Sequence, residues 1–599
     1  MRRLTVLVAI VGLVLAFAAP QVLAAGPPPK KDNDTYVQLL AINDFHGNLA
    51  ATAGNTIQTG CCNAVLNGSG TQTGWAQQTV LAGGVEYLST YIKSLRVTSA
   101  NTITVGAGDL IGASPLVSGL FHDEPTIEAM NIIGLDVSGV GNHEFDEGAN
   151  ELLRMQYGGC HPVDGCQDGD PFGGSFFQYL ASNVFYAGTN HTILPPYEIR
   201  KIGNAKIAFL GLTLEGTPSI VTPSGVAGLE FRPEVETINA LVQKLRNEQG
   251  VRAFVVLLHQ GGSQAPPSQP AYPAPANPDA YTDVNKCVNF NGPELTAIVN
   301  GLDPQVDVVI SAHTHQPYIC NIAGKVVTSA SSFGRVITDI DLVIDHQTKD
   351  VKSVEALNRI VKRDVAPDPA ETALLAKYTD LSNPLARQVV GSITADITSQ
   401  RTSGGENTAG ESALGDVIAD AQLEATAPTD FGGSKIAFMN PGGIRTSLLF
   451  ANTYGIEAAG VIVYGELFES QPFGNSLVVK TCTGGQIKAL LEQQQMPATG
   501  SKRVLQVSNG FTYTWDAAGS AGSKIVAGSV KLNNVSLDPF ASYRVTMNSF
   551  LATGGDGFTV FNACTDALGG EIDLDALVRY FQNHSPVAPG PKNRITRLN

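Results

Sequence analysis

The sequence predicts an α/β architecture of two domains, and three observations carry that expectation. Apolar runs of strand character alternate with helical spacings through the first 345 residues or so. Polar side chains of ligand or acid-base type collect at the C-terminal ends of those runs, the edge of an α/β sheet where chemistry is placed. A length of 599 residues also exceeds what one hydrophobic core supports. With 43% hydrophobic and 15% charged residues the composition is globular, and 63 Gly with 33 Pro imply many loops.

Taken in order, Tyr36 to Ile42 reads as a strand ending in Asn43-Asp44-Phe45-His46-Gly47. Asp44 and His46 are two residues apart and can face one ion from an extended strand end. Ala50 to Gln78, rich in Gly, Thr and Asn, is expected to be a loop. Gly83 to Leu95 has apolar residues at 85, 88, 92 and 95, a helical spacing. Thr102 to Val105 is the next strand, ending in Gly106-Ala107-Gly108-Asp109, and Ile127 to Ile133 is a short helix. Gly134 to Val137 leads into Gly141-Asn142-His143-Glu144-Phe145-Asp146, with helix-like residues from Glu147 to Met155, so Asn142 and His143 fall at a strand-to-helix turn.

Lys206 to Leu212 reads as a strand and Pro233 to Asn247 as a helix. The buried strand Val251 to Leu258 ends in His259, and Gln264 to Tyr281, dense in Pro and Ala, is a loop or insertion. Val306 to Ile310 ends in His313-Thr314-His315. Five of the ten histidines (46, 143, 259, 313 and 315) therefore sit at strand ends, a clustering that packing does not explain. Two β-prone runs, Val326 to Ser329 and Val336 to Ile344, close the first domain, residues 34–345. Residues 346–388, with a helix from Pro369 to Leu381, form a linker, and residues 389–599 a second domain. Its distinctive places are Asn440-Pro441-Gly442-Gly443-Ile444-Arg445, Pro472-Phe473-Gly474-Asn475, and Phe550 to Phe558, Gly-rich loops that let a ligand approach the backbone.

Residues 1–25 read as a signal peptide: Arg2 and Arg3, an apolar run from Leu4 to Ala19, then small residues suited to cleavage. No apolar C-terminal tail of anchor type is present, so the expected location is secreted or periplasmic without a membrane anchor. Eight cysteines form an even set suited to disulfides in an oxidising compartment. Cys160 with Cys166 brackets a short polar loop; Cys287 with Cys320 and Cys482 with Cys564 follow from order alone. Cys61 and Cys62 are adjacent, which strains a direct bond and leaves their partners open. The net charge of −16 argues against a nucleic-acid polymer as partner. An acidic protein that handles phosphates needs local cations, and metals supply them.

A polar turn taken alone needs no catalytic role. Five motifs in order, however, offer enough oxygen and nitrogen ligands for two divalent ions, the arrangement that activates water and clamps a phosphoryl group. In these motifs, and in NPGGIR, PFGN and FLATGGDGF of the second domain, the chain resembles the metallophosphoesterase superfamily, and within it the secreted 5′-nucleotidase and UDP-sugar hydrolase family. The resemblance implies an N-terminal calcineurin-like α/β sandwich and a C-terminal α+β substrate-binding domain. It implies one ion, Zn, Mn, Co or similar, on Asp44, His46, Asp109 and His315, and a second on Asp109, Asn142, His259 and His313. His143 would contact the phosphate or leaving group, with Asp146 orienting its ring. Phe473 and Phe550 would sandwich a nucleotide base, Asn440 would meet the base, Asp556 the ribose hydroxyls and Arg445 the phosphate. Both phenylalanines lie far in sequence from the metal motifs, so base recognition is expected to be separable from chemistry.

Two departures stand out. Pro441 replaces the first Gly of the family's NGGGIR, and the basic residue expected just before Glu411 is missing, with Arg401 as its candidate substitute. The implied activity is removal of the 5′-phosphate of nucleotides. The alternatives are 2′,3′-cyclic nucleotide phosphodiesterase or UDP-sugar hydrolase activity on the same scaffold, or an extracellular nucleotide-binding or adhesion protein without turnover.

Overall fold

Strand Thr35–Ile42 alternates the direction of its side chains, and both directions are buried. Val37, Leu39 and Ala41 point into a core shared with a second sheet, whereas Leu40 and Ile42 join the helical layer behind the first. That double burial explains why the strand reads as a continuous apolar run. The computed structural model describes residues 33–599 apart from 53–54, 61, 68, 222–224, 266–276, 278–280, 452–456 and 498–501. The expected signal peptide, most of the Pro- and Ala-rich tract and Cys61 lie outside the described residues.

The first half is a sandwich of two six-stranded sheets. In one, Thr35–Ile42, Thr102–Ala107, Val137–Gly139 and Gln178–Leu180 run parallel, flanked by the antiparallel Val336–Ile344 and then Val351–Ile360. In the other, Ala205–Thr213, Ala253–His259, Val306–Ser311 and Lys325–Ala330 run parallel, with Tyr197–Ile202 and Pro317–Ile322 antiparallel at the two edges. Helices Val85–Arg96 and Glu124–Ile133 cover the outer face of the first sheet, and Glu234–Gln249 with Pro293–Gly301 cover the second. The helix read from residues 85, 88, 92 and 95 forms as expected, and all four of those side chains are buried.

Two readings need correction. Ala50 to Gln78 is not a featureless loop: Asn63–Leu66 pairs with Gln72–Ala76, and Thr56–Gln58 pairs with Thr79–Leu81. The β-prone Thr, Val and Trp side chains there pair across strands that bury little, so no apolar alternation announces them. The first sheet also continues past residue 345, because Val351–Ile360 pairs along Val336–Ile344. Helix Pro369–Ala386 follows, fixed to the first half by Tyr378, whose hydroxyl shares its one proton between Asp168 Oδ2 (3.0 Å) and Glu128 Oε2 (3.1 Å).

The second half holds a five-stranded mixed sheet built on Ile436–Met439, Ser542–Asn548 and Ser476–Thr483, and a four-stranded sheet through Phe511–Asp516 and Ile595–Leu598. Disulfides join Cys160 to Cys166, Cys287 to Cys320 and Cys482 to Cys564. No helix among the described residues is long and apolar enough to cross a membrane.

Candidate active site

Because the parallel strands of both sheets end at one edge of the sandwich, residues remote in sequence meet there. Asp44 and His46 leave Thr35–Ile42, Asp109 leaves Thr102–Ala107, and Asn142 leaves Val137–Gly139. His259 ends the neighbouring Ala253–His259, and His313 and His315 follow Val306–Ser311. Asp44, His46 and His315 form one group of converging ligand atoms, and Asp109, His259 and His313 another. His46 and Asp109 also group with His143. His46 Nε2 lies 3.1 Å from His315 Nε2 and 3.6 Å from Asp109 Oδ2, and His259 Nε2 lies 3.0 Å from the same Oδ2. Asp109 thus stands between the two sets.

The backbone bends sharply to achieve this. Asp44, His46, Asp109, His313 and His315 all have positive φ, between 48° and 71°. Left-handed backbone costs a non-glycine residue about 1–2 kcal/mol, and such strain collects at functional sites. Asn43 and Glu144 hold the bends in place. Asn43 Nδ2 donates to Asp44 Oδ2 (2.6 Å) and to the Ser331 carbonyl (2.7 Å), while its Oδ1 accepts from Ala330 N–H (2.7 Å). The buried Glu144 carboxylate accepts from the N–H groups of Asp109 (2.9 Å), Leu110 (2.8 Å) and Gly141 (2.6 Å). Neither residue was singled out from the sequence, where nothing but its place inside a motif marks it. Gly141 admits no side chain: a Cβ would collide with Asp109 Oδ1 and come within 2.7 Å of His259 Cε1.

The donor set fits divalent metals. His46 Nδ1–H and His259 Nδ1–H donate to the carbonyls of Gly112 (2.8 Å) and Ala107 (2.9 Å), which points each Nε2 inward. Burial opposes the charged His259 ring, but Asp109 raises it to about 9, a proton that a bound ion would displace. Asn142 Oδ1 is buried with no hydrogen-bond partner, a costly state that a cation would relieve. Burial pushes His313 down to about 3 and holds His46 and His315 well below the usual imidazole range, so these rings are neutral and able to ligate. Burial pushes the Asp44 carboxyl up to about 7, a cost that a bound cation would offset.

His143, though it lies among these candidate ligand atoms, has a carboxylate partner of its own. Its Nδ1 bonds Asp146 Oδ2 at 2.7 Å, which leaves Nε2 for another partner, and its backbone N–H donates to Asp109 Oδ1 (2.9 Å). Burial opposes the imidazolium, but the charges of Asp146 and Asp109 outweigh it and raise the ring above its ordinary value.

A cavity of about 490 Å³ runs from Asp109, Asn142 and His143 to Asn440, Arg445, Phe473, Phe550 and Asp556, joining the two halves of the chain. The Asn440 side chain accepts from Asn548 Nδ2 and donates to Asp556 Oδ2, both at 3.0 Å. The guanidinium of Arg445 lies 5.6 Å from the Phe473 ring centroid. Pro441 enters the first turn of a short 3₁₀ helix, Pro441–Gly443, where its missing N–H is no loss. Arg401 also lines the cavity and donates to the Ile444 carbonyl (3.2 Å), and the neighbouring Arg445 charge pulls it down to about 9. Glu411, whose expected basic neighbour is missing, is satisfied instead by the N–H groups of Arg594 (2.9 Å) and Ile595 (3.3 Å). Arg503, unmarked by any sequence signal, lies 3.6 Å from Asp556 at the cavity wall.

Two family models match: Calcineurin-like phosphoesterase over residues 37–317, and 5′-nucleotidase, C-terminal domain over residues 389–563. The chain belongs to the 5′-nucleotidase family of metallophosphoesterases. It is 32% identical to Endonuclease YhcR of Bacillus subtilis over 93% of its own length, and spans 41% of that relative. It is 29% identical to Cell wall protein Lmo0130 of Listeria monocytogenes, covering 97% of this chain and 71% of that one. The fold matches a 5′-nucleotidase precursor from Thermus thermophilus with a TM-score of 0.69 at 24% identity, over 94% of this chain and all of the other. Calcineurin-like metallophosphoesterases use divalent metals, in keeping with the clustered donors.

Proposed function

We propose that this chain removes the 5′-phosphate of nucleoside monophosphates, releasing nucleoside and phosphate, after export from the cell. The observation that carries the reading is one continuous cavity lined both by candidate metal ligands and by Phe473, Phe550 and Asp556. A phosphomonoester with an attached base and sugar has both chemistries.

Asp44, His46, Asp109 and His315 would hold one divalent cation, and Asp109, Asn142, His259 and His313 the other. Bound there, two cations of the Zn, Mn or Co class supply Lewis acidity to the phosphoryl oxygens and acidify the attacking water. The remaining work falls to the chain itself. His143, oriented by Asp146, donates from Nε2 to a phosphoryl or leaving-group oxygen as charge develops. Arg445 and Arg401 face the anionic phosphate. Phe473 and Phe550 stack on the base, Asn440 reaches its polar edge, and Asp556 accepts from the ribose hydroxyls.

A product assay that resolves nucleoside, nucleoside monophosphate, oligonucleotide and free phosphate tests the reading, using AMP, 2′,3′-cyclic AMP, UDP-glucose and single-stranded DNA with defined divalent ions. AMP is expected to be cleaved fastest. Preference for the cyclic ester, the diphosphate or the polymer would reassign the substrate, and no turnover by metal-loaded protein would leave a binding protein.

A further inference from the structure

Away from the catalytic cavity, the turn that precedes helix Glu124–Ile133 and the loop closed by Cys160 and Cys166 bring two imidazoles and a carboxylate together. We propose that His122, His161 and Asp164 form a third divalent-metal site, suited to zinc or a similar borderline cation, with water completing the coordination. None of the three lines the catalytic cavity.

The candidate ligand atoms lie within 4.8 Å of one another. His122 Nε2 is 2.8 Å from Asp164 Oδ2, and His161 Nδ1 is 3.4 Å from the same oxygen. Ligands held 2.0–2.1 Å from zinc in a tetrahedron stand roughly 3.3 Å apart, so the distances suit the ion once the two rings splay. The two rings stack, with centroids 3.7 Å apart and planes at 17°. Two histidines with one carboxylate are a zinc donor set, and the side chains of His122 and His161 are only 17% and 14% exposed.

The surroundings are organised as a metal site requires. His122 Nδ1 bonds Glu147 Oε2 at 2.7 Å, the carboxylate–histidine pairing that orients a metal-binding imidazole, and an ion would displace the proton that Nε2 shares with Asp164. His161 Nδ1 accepts the Asp164 N–H (3.2 Å), so this nitrogen is unprotonated and an ion bound there would take the place of that hydrogen bond. His161 and Gly165 exchange backbone hydrogen bonds at 3.1 and 2.9 Å inside the disulfide loop, which fixes His161 relative to Asp164. His122 is held at φ 52°, and its neighbour Asp123 accepts from Ser118 Oγ (2.6 Å) and from the Gly112 N–H (2.9 Å). The opposite side of His122 cannot serve equally well, because both oxygens of Glu151 there are engaged by Arg154. The competing account is an ion pair, with a protonated His122 bridging Glu147 and Asp164.

Full-length protein is stripped with chelator, equilibrated with buffered zinc, and its bound zinc counted by elemental analysis. His161→Ala and Asp164→Asn should each bind one equivalent fewer than the unsubstituted chain, with the rate of phosphate release unchanged. Glu147→Gln should retain the ion but weaken zinc binding 10–100-fold, the effect of losing an outer-shell partner. Because the readout is a difference between variants, it does not depend on how many ions the catalytic cluster holds. Equal zinc counts in all variants would leave the ion-pair account standing and overturn the site. If a variant fails to fold, crystals of the unsubstituted chain soaked in zinc decide: an anomalous peak among these three side chains supports the site, and its absence refutes it.

Discussion

The ring of His143 lies 5.8 Å from that of Phe473, with the planes only 16° apart. One residue comes from the strand-to-helix turn of the first half and the other from a Gly-containing loop of the second. Phe473 therefore touches the candidate acid as well as facing the cavity, and the expected separation between base recognition and chemistry does not extend to it. Phe550, which has no such contact with His143, is the cleaner probe. Stacking of a base on an aromatic ring is worth about 1–3 kcal/mol. Phe550→Ala should then weaken productive AMP binding roughly 5- to 150-fold while leaving methyl phosphate nearly unchanged. Phe473→Ala should depress both substrates. Equal losses on both substrates in a well-folded Phe550→Ala protein would sink base stacking at that position.

Asp109 stands between the two ligand groups, 3.0 Å from His259 Nε2 and 3.6 Å from His46 Nε2. Asp109→Asn should reduce bound catalytic metal and lower turnover far more than loss of a surface carboxylate. Metal content and rate measured on one preparation give the answer: full metal content with a near-normal rate would exclude a shared ligand.

His143→Ala should keep the metal content while lowering kcat roughly 10²- to 10⁴-fold, the range for a positioned acid or charge stabiliser. Asp146→Asn should act in the same direction, since the carboxylate both orients the ring and favours its protonated form. If metal is lost together with activity in His143→Ala, the residue belongs among the ligands.

Glu371 offers a test of stability rather than chemistry. It is fully buried in helix Pro369–Ala386, neither carboxyl oxygen has a hydrogen-bond partner, and burial pushes its carboxyl up to about 9. Its folded value lies above its unfolded value near 4.5, so the folded state binds the extra proton. The associated stability is present below about pH 4.5 and is lost progressively as pH rises towards 9. By pH 7 the loss is on the order of 3 kcal/mol. Glu371→Gln should flatten the decline in denaturant midpoint between pH 5 and 9 and be the more stable protein at pH 8. Parallel curves for the two proteins would refute the assignment.

Much of this protein is determined locally and is legible in the sequence. Strand Thr35–Ile42 announces itself because both its faces are buried, and helix Val85–Arg96 because only one is. Polar residues that interrupt an apolar strand at its C-terminal end mark the site edge, which is why Asp44, His46, Asp109, Asn142, His259, His313 and His315 could be picked out one motif at a time. The weakly buried strands at Asn63–Leu66 and Gln72–Ala76 left no such trace, since their pairing depends on backbone partners rather than on a core. How separate motifs meet is set by the packing of the sheets and not by any one segment. Glu144 gathers three N–H groups from two loops, Asn43 ties Asp44 to Ser331 and Ala330, and Phe473 rests against His143. So does the meeting of His122 with a disulfide loop some 40 residues away. Such contacts arise from the register of two packed sheets and the closure of one domain on another, and residue spacing along the chain carries no record of either.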